Sequence, residues 1–193
     1  LDFFLCFNYN RYVFFCKMNL FMQFDSQAPW LKYLDPSQRE LVEVSFYLSQ
    51  EFANNTTLQD FSFIVFPMAK AYEGFLKKVL LDLNLINQEV YYGRHFRIGR
   101  ALNPDVSPNQ RDQWWLFDDL SRMLNHDLAQ EIWQTWLQCR NHVFHFFPNG
   151  EQKLNFAEAV NCLNQMQNVM KTTITLIEER HEKKVKQAKD IES

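Results

Sequence analysis

Apolar residues recur along much of this chain at the three- and four-residue intervals of an amphipathic helix. Asp35-Pro36 puts a capping side chain before a proline suited to a first helical position, and Leu41, Val44, Leu48 and Phe52 follow at helical spacing. The pattern predicts a helix from Pro36 to about Gln50–Ala53, stopped by Asn54-Asn55-Thr56-Thr57. A second helix is predicted from about Phe61 to Leu85. Its apolar residues, from Phe61, Phe63, Ile64, Val65 and Phe66 to Leu83, are dense enough to make it the central, most buried element. Pro67 is tolerable there early in the helix or as a kink.

Residues 87–110 read as a long connection. Trp114 to Leu124 reads as a short helix, and Asn125-His126-Asp127 caps the next. Leu128, Ile132, Trp136, Cys139 and Val143 form its core stripe, and Pro148-Asn149-Gly150 punctuates its end. A final helix starts near Asn155, with Phe156, Leu163, Met170 and Ile177 seven apart. Its tail, Glu178 to Asp190, pairs Glu179 with Lys183 and Glu182 with Lys186 at favourable spacing and is expected to be a solvated helix that frays. Repeats and low-complexity segments are absent. These elements add up to an all-α protein, most simply an antiparallel four- to five-helix bundle.

Composition narrows the picture. With 47% hydrophobic and 16% aromatic residues in 193, the chain can bury a real core and is not disordered. The net charge of -3 provides no global basic field, so any RNA contact must be local. Cys6, Cys16, Cys139 and Cys162 show no metal-ligand spacing and read as reduced thiols of a cytoplasmic protein, the last two as helix-core residues. Residues 1–24 are apolar and Phe-rich, but Asn8, Asn10, Arg11 and Lys17 interrupt them before a membrane span or a signal peptide is formed. Residues 1–17 are expected to be a start-site extension or artefact ahead of Met18 and Met22, with an amphipathic element as the alternative. The expected division is an extension over 1–24, a helical domain over 25–180 and a charged tail over 181–193.

The candidate chemistry lies in Arg140-Asn141-His142-Val143-Phe144-His145. A guanidinium fork that can hold a phosphate, beside an imidazole that moves a proton near neutral pH, is a minimal kit for cutting RNA without a metal. On an unbroken helix Arg140 and His145 would point roughly 140° apart, whereas Asn141 and His145 would share a face. The motif therefore belongs at a helix end. Upstream, Lys70 and Glu73 stand three apart on the most apolar helix, either as a solvated ion pair or as lining of a cleft. In the connection, Arg94, Arg97 and Arg100 alternate with aromatics and glycines in a way that suits a phosphate backbone and stacked bases; a solvated loop packed by its own aromatics is the alternative. Trp114, Trp115, Trp133 and Trp136 read as core or dimer-contact aromatics.

Arginine, a polar residue, a short interval and histidine at the end of a helix resembles the signature of the HEPN superfamily of ribonucleases, carried here by Arg140-Asn141-His142-Val143-Phe144-His145. Pro67-Met68-Ala69-Lys70-Ala71-Tyr72-Glu73-Gly74-Phe75 and the stretch from Tyr91 to Arg100 resemble the HEPN domain of RNase LS-type toxins, over about residues 36–180. The resemblance implies a homodimer whose paired helix ends line one cleft, a toxin or antiviral-defence role, and an antitoxin protein as a candidate partner. It also implies that Lys70 and Glu73 join Arg140 and His145 at the site. Toxins of that type carry N-terminal domains that this chain is too short to hold, so regulation is expected to differ. Members silenced by a nucleotidyltransferase often have a tyrosine two residues after the histidine; Phe147 stands there, which argues against that partnership.

The expected activity is metal-independent endoribonuclease cleavage of single-stranded RNA, with no cofactor and no membrane. His145 would move the proton, Arg140 would stabilise phosphorane charge, Asn141 would orient His145, and Lys70 would add a phosphate contact. Glu73 would position Lys70 or Arg140 or share the proton transfer, and His142 would be structural or a secondary RNA contact. A helical dimer serving as a non-catalytic protein-interaction module is the rival. A metal hydrolase through His142 and His145 is disfavoured, because no further ligand lies at helical spacing around them. His95, His126 and His181 read as loop, cap and surface residues.

Overall fold

The computed structural model describes residues 25, 27–145, 148 and 153–191, with backbone only at 184 and 188–191. Residues 1–24, with Cys6 and Cys16, and the Phe147 expectation lie outside the described residues. The fold is all-α, and no strand occurs among the described residues. Its helices are α1 (Pro36–Glu51), α2 (Ser62–Asp82), α3 (Gln88–Tyr92), α4 (Ile98–Ala101), α5 (Phe117–Met123), α6 (His126–Trp136) and α7 (Phe156–Ile191). Tight 3-10 turns occupy Pro29–Tyr33 and Pro108–Gln110. The α6 helix does not stop at Trp136. It widens into a π turn over Leu137–Asn141 and closes with an α-helical turn, His142–Phe144.

Contacts between elements give the topology. Gln38 lies against Gly74, Ser45 against Met68 and Phe52 against Phe63, so α2 runs back along α1. Tyr72 then meets Ile132, and Phe66 meets Phe144, so α6 runs back along α2. The start of α7 is tied to the start of α2 by the Phe61 N–H donating to the Leu154 carbonyl at 2.8 Å and by the Phe61–Phe156 ring contact. The four long helices therefore alternate in direction. Helix α2 is the central one: Ile64, Val65, Met68, Ala69, Ala71, Tyr72 and Phe75 are fully buried.

Local chemistry explains the boundaries. Asp35 caps α1, and Gln38 reaches back to accept from the Asp35 N–H at 3.1 Å, a reciprocal box that satisfies two orphan donors. The helix ends at Glu51, after which Asn55 Oδ1 accepts from the N–H groups of Thr57 and Leu58 and holds the turn. Pro67 sits inside α2, and the next N–H, at Met68, donates to Ser45 Oγ on α1 at 2.8 Å.

That bond corrects the expected face of α1. The predicted stripe of Leu41, Val44, Leu48 and Phe52 flanks the interface, with Val44 exposed, whereas Gln38, Val42, Ser45, Phe46 and Ser49 face the core. Two serines there keep side chains short where α2 packs, and one caps the Met68 N–H. Phe63 and Phe66 are likewise exposed on α2 rather than buried. The connection over 87–110 is partly helical, since it holds α3, α4 and a 3-10 turn. The short helix begins at Phe117, which leaves Trp114 and Trp115 ahead of it. The final helix continues to Ile191, and Glu178, Glu179, Glu182 and Lys183 on its tail are exposed.

Candidate active site

The π turn sets the geometry of the arginine. In it the His142 N–H bonds to the Leu137 carbonyl, five residues back, so one extra residue enters the helix just where Arg140 lies. The motif lies at the end of the helical run, and the π turn within it was not expected. Cys139 anchors the turn to α7: it is fully buried, and its Sγ lies 3.3 Å from Gln165 Oε1. Hydrogen bonding with the Cys162 thiol and then burial push the Cys139 thiol well above the ordinary range, so it stays protonated.

Arg140 is held on three sides. Its Nη2 lies 3.2 Å from Glu73 Oε2, with the two side chains 30% and 34% exposed. Its guanidinium stands over the Trp136 ring at 4.8 Å and over the Phe144 ring at 5.2 Å. Phe144 is in turn stacked on Phe66, with centroids 4.6 Å apart. Glu73 therefore pairs with Arg140 across two helices. Lys70, one turn earlier on α2, is exposed and forms no ion pair with Glu73, so the solvated Lys70–Glu73 pair is not what the fold makes.

His145 leaves the helix in an extended conformation, φ -98° and ψ 136°, and is exposed. Its Nε2 lies 3.0 Å from Asn141 Oδ1. The Asn141 amide thus holds the imidazole by one ring nitrogen. His142 is exposed on the last turn. The structure thus joins Arg140 to Glu73 and Asn141 to His145 at one end of α6, with Lys70 on the neighbouring helix. Among the described residues, no cluster of three or more His, Cys, Asp or Glu is arranged to hold a metal ion.

Arg94, Arg97 and Arg100 differ among themselves. Arg100 is committed to Asp112 at 2.7 Å and lies 3.4 Å from the Gln110 carbonyl. Arg97 lines a cleft of about 570 Å³ between α3, α4 and the segment carrying Asp112 and Trp114. Arg94 is exposed beside that cleft without lining it. A link to Arg140 runs through Gly99, where an added Cβ would stand 2.9 Å from Trp136 Nε1. The Arg97–Arg100 segment therefore packs on the same indole that supports the Arg140 guanidinium.

No family model, curated protein or solved structure matches this chain. The aromatic bracket and the glycine contact were not foreseen from sequence. Trp136 and Phe144 stand four residues before and after Arg140, and that symmetric spacing is the signal that could have found the bracket. Nothing local to Gly99 announces its contact with Trp136.

Proposed function

We propose that this protein is a metal-independent endoribonuclease of HEPN type that cleaves single-stranded RNA as a homodimer. The observation that carries the reading is the pairing of a bracketed arginine with an exposed histidine held by Asn141, both at one helix end. The His145 imidazole takes the proton of a ribose 2′-hydroxyl, and the oxygen attacks the adjoining phosphorus. Arg140 stabilises the added negative charge, the departing 5′-oxygen takes a proton back from the imidazolium, and a 2′,3′-cyclic phosphate and a 5′-hydroxyl result. Asn141 holds the imidazole and Glu73 holds Arg140; Lys70, Arg94 and Arg97 supply local positive charge in a chain of net charge -3, and His142 is a further RNA contact. Large apolar side chains left exposed on α1 and α2, Tyr47 at 62% and Phe66 at 54%, support association with a second copy. No helix among the described residues is long and apolar enough to cross a membrane, which fits an RNA substrate met in solution. A toxin or defence role with a protein antitoxin follows from the resemblance alone.

The Arg140–Glu73 ion pair favours one other reading, a non-catalytic helical interaction module in which that pair is structural. Substrate chemistry separates the two. An RNA carrying a single 2′-deoxy nucleotide at the mapped cleavage position should resist cutting there, and the normal product should bear a cyclic phosphate. Unimpeded cutting at the deoxy position would refute the mechanism, and absence of any cutting would favour the module.

A further inference from the structure

We propose that the cleft between α3 and α4 seats one nucleobase of the RNA strand, stacked on Trp114, with its phosphate held by Arg97. The proposal rests on the ribonuclease reading and adds a binding position to it. The cleft volume of about 570 Å³ suits a nucleotide-sized ligand. Its aromatic wall is Trp114, braced edge-to-face by Phe96 at 6.3 Å yet left 39% exposed, so an indole face stays available. Every base has a π face, so such a wall accepts a base from a single strand. This role differs from the expectation that Trp114 is a core or dimer-contact aromatic.

Charge places the phosphate. Of the two arginines lining the cleft, Arg100 is already neutralised by Asp112 at 2.7 Å. The Arg97 guanidinium makes no ion pair or hydrogen bond among the described residues, and it is exposed. A phosphate is the partner that an exposed, unpaired guanidinium on a cleft lining selects. Glu89, also on the lining and exposed, offers an acceptor for the amino hydrogens of adenine, cytosine or guanine. Position supplies the connection to the chemistry: Ala101 lines the cleft, Gly99 of the same short helix rests on Trp136, and Trp136 carries Arg140. A strand leaving the cleft past α4 thus has one indole between it and the Arg140 guanidinium.

The test is fluorescence anisotropy of a short, labelled oligoadenylate titrated with full-length His145→Ala protein in EDTA, with and without Trp114→Ala or Arg97→Gln. Both added substitutions are at exposed positions, and circular dichroism checks that each protein stays folded. Loss of the stacking wall should weaken binding by about tenfold. Arg97→Gln should weaken binding and lower the slope of log affinity against log salt by about 0.7. Affinity unchanged in both variants would overturn the proposal, as would 5′-AMP binding as tightly as the oligonucleotide, which would mark a free-nucleotide site. The two readings can fail separately. Binding with these dependencies but no cleavage by the unsubstituted protein leaves the cleft standing and removes the ribonuclease; cleavage with unchanged binding does the reverse.

Discussion

Replacing Glu73 with Gln removes the charge facing Arg140 while keeping the side chain's size. At the observed 3.2 Å, Coulomb attraction screened as in water is about 1.3 kcal/mol. Both partners are about one-third exposed, so the screened figure is the right starting point, and holding two long side chains in one geometry subtracts from it. Here that entropic cost is reduced, because the Trp136 and Phe144 rings already flank the guanidinium. The expected loss of stability is about 1 kcal/mol, or roughly 2–4 °C in Tm for a chain of this size. In cleavage assays Arg140→Ala should lower kcat by roughly 100- to 1000-fold, as loss of a transition-state charge partner does. Glu73→Gln, which only loosens that partner, should cost about tenfold. A double-mutant cycle then decides: Glu73→Gln added to Arg140→Ala should slow cleavage no further, and the pH–rate profile should keep both limbs. Additive losses, or disappearance of one limb in Glu73→Gln, would refute a positioning role and assign the carboxylate to proton transfer.

Other outcomes follow from the packing. Ser45→Ala removes the hydroxyl that accepts from the buried Met68 N–H and should cost about 0.5–1.5 kcal/mol by denaturant titration; stability equal to the parent's would contradict this account of α2 beyond Pro67. Gly99→Ala should displace the Trp136 indole, change near-ultraviolet circular dichroism and cost about 1–3 kcal/mol, and an unchanged spectrum would mean that the contact yields freely. Burial raises the Asp60 carboxyl, but bonds from the Ser62 hydroxyl and N–H and the Leu154 N–H, with Lys153 nearby, outweigh it and hold the group below the usual range. A lowered folded-state pKa stabilises above the unfolded value of about 4 and is lost as pH falls through the folded one, so Asp60→Asn should flatten the acid limb of stability. An acid limb identical in the variant would remove that assignment.

The helices were legible because their signals are local. Asp35-Pro36, the Asn125 cap and the stripe from Leu128 to Cys139 each act within a few residues of themselves, and each stands close to where the pattern put it. The face of α1 was not legible, since a buried Ser45 reads as solvent-facing until the Met68 N–H that it caps is brought to it by another helix. The π turn was hidden for a similar reason: nothing in Leu137–Asn141 forbids an ordinary α-turn. At the site, Asn141 and His145 could be related by spacing alone. The Glu73–Arg140 pair joins residues 67 apart in sequence, and its geometry exists only once α2 and α6 are packed. Arg94, Arg97 and Arg100 look alike as letters; Asp112, twelve residues beyond Arg100, is what separates them.

The most direct test of the central claim is incubation of purified protein with labelled single-stranded RNA in EDTA. His145→Ala and Arg140→Ala proteins, each checked for helicity by circular dichroism, are run beside it. The account predicts cleavage by the unsubstituted protein and its loss in both folded variants. Cleavage that survives either substitution, or that disappears from the unsubstituted protein when EDTA is added, would contradict it.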